Sequence, residues 1–180
     1  MKSRSIAYLV VAFFIIGCAP IQTYERLHPS PGPGLSTYVG GAVFKMERTS
    51  DLPNVAGKAD IFGGKVNRGF TELRYQGLTQ DGKLVFRVTE IETQSNETAM
   101  SRYGRGVSSV NLNTSYSAYG SQTYGTAFYQ PPPQGRTEIL PPNTTEFIID
   151  PSKTKELNIA GVRVEIRGFD AQSLRYSLNR

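Results

Sequence analysis

The sequence predicts an all-β protein: a single antiparallel β-sandwich or β-barrel-like domain over residues 37–180, with a long uncharged Tyr/Ser/Gly-rich insertion. Three observations predict it. Apolar and polar residues alternate with period two in several separate runs. Gly, Pro, Asn and Asp, the residues that turns require, separate those runs. No stretch of the body carries a persuasive 3.6-residue period. About seven to nine short strands with Gly/Pro-rich turns indicate a sandwich or barrel. Roughly 140 residues are enough to bury a core without disulfides.

The first run begins at Tyr38. Tyr38, Ala42, Phe44 and Met46 share one face, and Val39, Gly41, Val43 and Lys45 the other. A strand apolar on both faces belongs in a central position. After a turn near Leu52-Pro53-Asn54, Lys58 to Phe62 is expected as a short second strand. The clearest unit follows. Phe70 to Gln76 places Leu73 and Tyr75 on one face and Glu72 and Arg74 on the other. Gln80-Asp81-Gly82 then leads into Lys83 to Thr89, where Leu84, Phe86 and Val88 face inward. Asp-Gly between two alternating runs is the strongest short-range hairpin signal. Thr145 to Ile149 makes a further strand, closed by Asp150-Pro151. A last hairpin pairs Val162, Val164 and Ile166 with Leu174, Tyr176 and Leu178 across a turn at Gly168 to Ala171.

The segment 106–135 differs from everything around it. It holds no charged residue between Arg105 and Arg136, carries Tyr116, Tyr119, Tyr124, Phe128 and Tyr129, and ends in Pro131-Pro132-Pro133. Three readings apply. As a mobile loop, it buries too little area to offset its ordering entropy. As a protruding hairpin, it uses Val110, Leu112, Thr126 and Phe128. As a recognition surface, it resembles antibody loops, where tyrosine among small polar residues gives contact area at low entropic cost. The third is compatible with either of the others and makes Tyr116, Tyr119, Tyr124, Phe128 and Tyr129 the candidate partner contacts.

Composition removes several chemistries. One histidine, His28, and one cysteine, Cys18, leave no Ser-His triad and no Cys/His zinc site, so neither a catalytic residue nor a metal is expected. Gly64-Lys65 resembles a phosphate loop only faintly, with Ala59 where that motif needs glycine and Val66 where it needs Ser/Thr. Three Asn-X-Ser/Thr triplets, at Asn96, Asn113 and Asn143, lie in Asn/Thr-rich stretches. One carboxylate pair needs weighing. Counting by twos from Leu84 puts Glu90 and Glu92 inward, where they would form an acid/base pair or a calcium site. Ile91 would then point outward. A bulge near Thr89, or a strand that outruns its core, returns both glutamates to water.

The N-terminus fixes the expected compartment. Lys2 and Arg4 precede an apolar run from Ile6 to Gly17, shorter than the ~20 residues of a membrane-spanning helix. A basic start, a short apolar run and a small-residue boundary form a secretory signal. Ile15-Ile16-Gly17-Cys18 resembles the lipobox of bacterial lipoproteins. That resemblance implies cleavage between Gly17 and Cys18, a diacylglycerol on the Cys18 thiol, acylation of the new amine, and no other cofactor. Ala19 follows rather than Asp, which in such lipoproteins implies the outer membrane. Residues 18–36, rich in Pro20, Pro29, Pro31, Gly32, Pro33 and Gly34, are expected as the lipidated cysteine and a tether. His28 lies in it.

These observations give an expected function: a lipid-anchored, non-catalytic binding or assembly protein of the outer membrane, facing the periplasm. Its expected partners are the membrane, through the lipid, and an envelope protein or peptidoglycan. The net charge of +5 includes Lys2 and Arg4, and an exported chain without a Lys/Arg cluster is not expected to bind nucleic acid. Two alternatives remain. One is a carrier with an apolar cavity lined by Phe44, Leu73 and Phe86; the other is a wall-glycan enzyme using Glu90 and Glu92.

Overall fold

Alternating strands bury one face each, and here they do so in two stacked antiparallel sheets. The computed structural model describes residues 19–117 and 120–180. Its strands are β1 (Thr23–His28), β2 (Gly32–Tyr38), β3 (Ala42–Asp51), β4 (Lys65–Leu78), β5 (Leu84–Ser95), β6 (Val107–Ser117), β7 (Gly120–Gln130), β8 (Thr137–Ile139), β9 (Asn143–Ile149), β10 (Glu156–Ile159), β11 (Val162–Phe169) and β12 (Ser173–Asn179). A one-turn helix, α1 (Ala99–Tyr103), interrupts them. The all-β class is as predicted.

One sheet runs β1-β3-β4-β5-β8, with β9 also pairing β5; a second runs β10-β11-β12-β2. Together they supply one core cluster. Val43, Phe44, Leu73, Tyr75, Leu84 and Phe86 come from the first, and Val162, Val164, Leu174, Tyr176 and Leu178 from the second. Phe86 lies between Tyr75 and Phe147, with ring centroids 5.8 and 5.9 Å away. The Tyr176 hydroxyl donates to the Val43 carbonyl at 2.7 Å, a buried bond that ties the sheets together. The predicted hairpins are present. Gly82, at φ +73°, lets the chain reverse between β4 and β5, and the Thr79 carbonyl and hydroxyl accept from Gly82 and Lys83. At the β11–β12 turn the Asp170 carboxylate accepts from the backbone of Gln172 and Ser173 and from the Ser173 hydroxyl. Those bonds hold its pKa below the usual carboxylate value, the Ser173 hydroxyl contributing most.

This sandwich takes in Gln22–Ser50, Lys65–Ser95 and Thr137–Arg180. A second compact unit contains Asp51–Gly64 and Asn96–Arg136 with the described residues up to Ile21. The expected insertion at 106–135 is thus part of a larger unit. Its β6 and β7 form a two-stranded sheet in continuous register from Val107↔Gln130 to Ser117↔Gly120. Of the three readings of this segment, the hairpin describes the backbone.

Three expectations need correction. The tether predicted over 18–36 contains β1, paired with β3, and β2, paired with β12. Both are edge strands, which is why they carry so little signal. In β1 only Leu27 is buried, so there is little period to see. In β2 the missing N–H of Pro33 is tolerated because the strand has a neighbour on one side only. His28 ends β1 opposite Lys45 and is exposed. Second, Lys58 to Phe62 is a loop and not a strand, with only an isolated Pro53↔Ala59 bridge. Gly57 and Gly63 turn it at φ +69° and +72°, and the Asn54 side chain accepts from Ala56 and Lys58 within it. Third, α1 was not predicted. Its capping box closes through Ser101 and Thr98, each hydroxyl accepting from the other's backbone N–H, where the usual partner at that position is Glu or Gln.

Candidate interaction surface

Among its described residues, the hairpin exposes apolar side chains on both faces. Register parity places Val110, Leu112, Ala127 and Tyr129 on one side and Asn111, Tyr124, Thr126 and Phe128 on the other. Val110, Leu112, Tyr124, Phe128 and Tyr129 are 57–70% exposed. An isolated two-stranded hairpin is marginal in water, and a large exposed apolar patch marks a contact surface. Of the predicted contact residues, the structure brings Tyr124, Phe128 and Tyr129 onto β7. The backbone of Tyr116 lies on β6 opposite Ser121. Tyr119, with Gly17 and Cys18 of the cleavage and lipidation site, lies outside the described residues.

A second apolar feature of this unit had no signal in the sequence. Val55, Ile61 and Phe62 from the 51–64 loop and Met100 and Tyr103 from α1 line an open groove of about 380 Å³. Val55, Ile61 and Phe62 are 76–79% exposed, and Phe62 meets Tyr103 edge-on with centroids 6.1 Å apart. Ile61 and Phe62 read as strand residues because they are apolar neighbours; the loop turns them outward instead. The Asp60 carboxylate supports that loop by accepting from the Gly64 backbone at 3.2 Å.

Backbone bonds join these features to the start of the chain. Ala59 donates to the Ala19 carbonyl at 3.0 Å, and Ala99, at the start of α1, donates to the Pro53 carbonyl at 2.7 Å. Ala19 is the residue after Cys18. The point where the mature chain is expected to begin is therefore fastened to the groove loop, which in turn carries α1 and the entry to β6.

The structure leaves both members of the carboxylate pair at the surface. Glu90 and Glu92 are both exposed. The register from Gly69↔Glu92 to Tyr75↔Phe86 is unbroken, with its irregularity later, between Tyr75 and Gly77. Glu90 is thus on the core side of the sheet, opposite the buried Thr71, but β4 and β5 outrun the core there. Glu90 instead accepts from Arg48 of β3 at 3.0 Å. Thr71 Oγ1 is buried with no hydrogen-bond partner. Gly64-Lys65 ends the 51–64 loop and begins β4, with Leu52 donating to the Gly64 carbonyl, a turn between strands as the failed motif implied. Among the described residues no group of His, Cys, Asp and Glu is placed to hold a metal ion.

No family model, curated protein or solved structure matches this chain. The surfaces themselves therefore carry the functional reading.

Proposed function

We propose that the protein is a lipid-anchored, non-catalytic binding or assembly protein of the outer membrane, facing the periplasm. Cys18 carries the acyl chains, the sandwich supplies a rigid body, and the hairpin β6–β7 makes the contact with an envelope partner. One observation carries this reading: the hairpin exposes Val110, Leu112 and Tyr129 on one side and Tyr124 and Phe128 on the other. Anchoring confines the search for that partner to a surface and raises its effective concentration.

The carrier alternative is less well supported. Phe44, Leu73 and Phe86 are fully buried and line none of the recesses around Val55, Leu35 and Ile166. Exposed glutamates, one of them ion-paired with Arg48, offer little to the enzyme alternative. The test is crosslinking in cells with Tyr124, Phe128 and Tyr129 all changed to Ser. Loss of the crosslinked partner with an unchanged thermal melt is expected; an undiminished partner set would reject the hairpin as the contact. Intact mass of the membrane-extracted protein tests the anchor separately, and an unmodified Cys18 would overturn it.

A further inference from the structure

We infer that the 51–64 loop and α1 form a second membrane contact: their apolar groove lies against the lipid leaflet that holds the Cys18 acyl chains. This rests on the proposed lipid anchor and commits the groove to one occupant, the acyl region of a phospholipid bilayer.

Exposure, rigidity and charge all bear on it. Among the described residues the three most exposed large hydrophobic side chains are Val55, Ile61 and Phe62, and all three stand on this one loop. They are held out by an ordered backbone. The Asn54 side chain accepts from Ala56 and Lys58 and donates to the Ala59 carbonyl. The Asp60 N–H donates to the Leu52 carbonyl, and the Asp60 carbonyl accepts from Gly63. Apolar side chains fixed outward in this way form a surface already organised for an apolar medium. Met100 and Tyr103 complete it from α1. Charge opposes contact with hydrocarbon, and the one charged residue of the lining, Asp60, is buried, its carboxylate accepting from the Gly64 N–H at 3.2 Å. Tyrosine, with an apolar ring and a polar tip, suits the boundary between acyl chains and headgroups, and Tyr103 is half exposed beside Phe62.

Position selects the occupant. The Ala59 N–H donates to the Ala19 carbonyl at 3.0 Å, and Ala59 lies on the loop between Val55 and Ile61. Cys18 is one residue back from Ala19, ~3.8 Å along the backbone. The acyl chains that enter the leaflet therefore start beside the groove loop. An acyl anchor alone leaves the protein free to turn at the membrane. An apolar surface next to it adds buried area at the interface and fixes the orientation of this unit. The form of the groove favours a bilayer over the protein's own acyl chain. A site for a single small ligand encloses most of it, whereas Val55, Ile61 and Phe62 stand largely open.

The full chain, extracted from membranes and reconstituted in phospholipid vesicles, tests the inference. It has no tryptophan, so Phe62→Trp places a single reporter in the groove. Tyr38→Trp, at an exposed position of the sandwich, is the reference. Emission from the Phe62→Trp protein is expected to shift to the blue on reconstitution. Phospholipid brominated on its acyl chains is expected to quench it at least about three-fold more than the reference. Adding Ile61→Asp should bring that quenching down to the reference level with an unchanged urea midpoint, because both side chains are exposed in the folded protein. Equal quenching at positions 62 and 38, or quenching that Ile61→Asp leaves undiminished, would overturn the inference. A blue shift without quenching would put the protein's own acyl chain in the groove and overturn it as well. In each of these cases flotation with the vesicles would leave the lipid anchor standing, whereas a protein that fails to float would overturn both.

Discussion

Phe86 and Phe128 are the same residue type in the same kind of element, and they are used in opposite ways. Phe86 has no exposed surface, whereas Phe128 is 57% exposed. The contrast extends to the units around them. In the sandwich, Leu, Val, Phe and Tyr build a core shared by two sheets. In the second unit, Val55, Phe62, Leu112 and Tyr129 face outward. Burial stabilises a fold without informing anything outside it, while exposed apolar area has a cost in water that only a partner or a membrane removes. In the proposed function the sandwich is the support and the second unit holds the contact surface.

The sharpest way to break this comparison is to truncate both phenylalanines. Phe86→Ala should destabilise the protein by about 3–5 kcal/mol, read by urea unfolding. Phe128→Ala should stay within about 0.5 kcal/mol of wild type, as for other surface changes. Comparable losses would mean that the hairpin belongs to the core. Next in size is Gly69→Ala. Gly69 sits at φ +106°, and an added Cβ would lie 1.9 Å from the Ile91 carbonyl oxygen. Backbone strain there should cost at least about 1–3 kcal/mol, lowering the urea midpoint. Tyr176→Phe removes the donor to the Val43 carbonyl, and the loss of that buried hydrogen bond should cost about 0.5–1.5 kcal/mol, read by the same unfolding.

The smallest effect concerns pH. Asp150 and Asp170 each have a lowered pKa, the bond from a serine hydroxyl being the first cause in both. A carboxylate with a depressed folded pKa contributes stability that is fully present above its unfolded value, ~3.9. That contribution is lost as pH falls through the folded pKa. Asp170→Asn should therefore flatten the acid limb of the melting-temperature profile and leave the shape near neutral pH unchanged. An identical acid limb would show that the turn carboxylate plays no part.

The same contrast explains what the sequence discloses. Strands with one buried face were legible: Leu73 with Tyr75, Leu84 with Phe86, and Val162 with Val164 show the period of two that burial imposes. Edge strands were not, because β1 buries Leu27 alone and β2 carries Pro33. Ile61 and Phe62 misled for the converse reason. Two apolar neighbours suggest a strand when their exposure depends on loop hydrogen bonds accepted by Asn54 and Asp60 that no pattern announces. For the hairpin, the residues were visible as an uncharged aromatic segment, but its order was not, since Ser, Asn and Gly carry little strand propensity. The groove joins loop 51–64 to α1 across more than thirty residues of sequence, a proximity that only the fold creates.

The central claim is that the exposed side of the second unit is covered in the cell. The chain has one cysteine, Cys18, whose thiol the lipid occupies in the proposed mature form, so an introduced cysteine is the sole reactive thiol. Leu112→Cys in native membranes, treated with a membrane-impermeant maleimide, measures the covering directly, with Asp81→Cys in the β4–β5 turn as the open reference. Covering predicts slow labelling at position 112, fast labelling at position 81, and equal rates once the membranes are dissolved and the protein is dispersed as monomer. Labelling at position 112 as fast as at position 81 in intact membranes would contradict it.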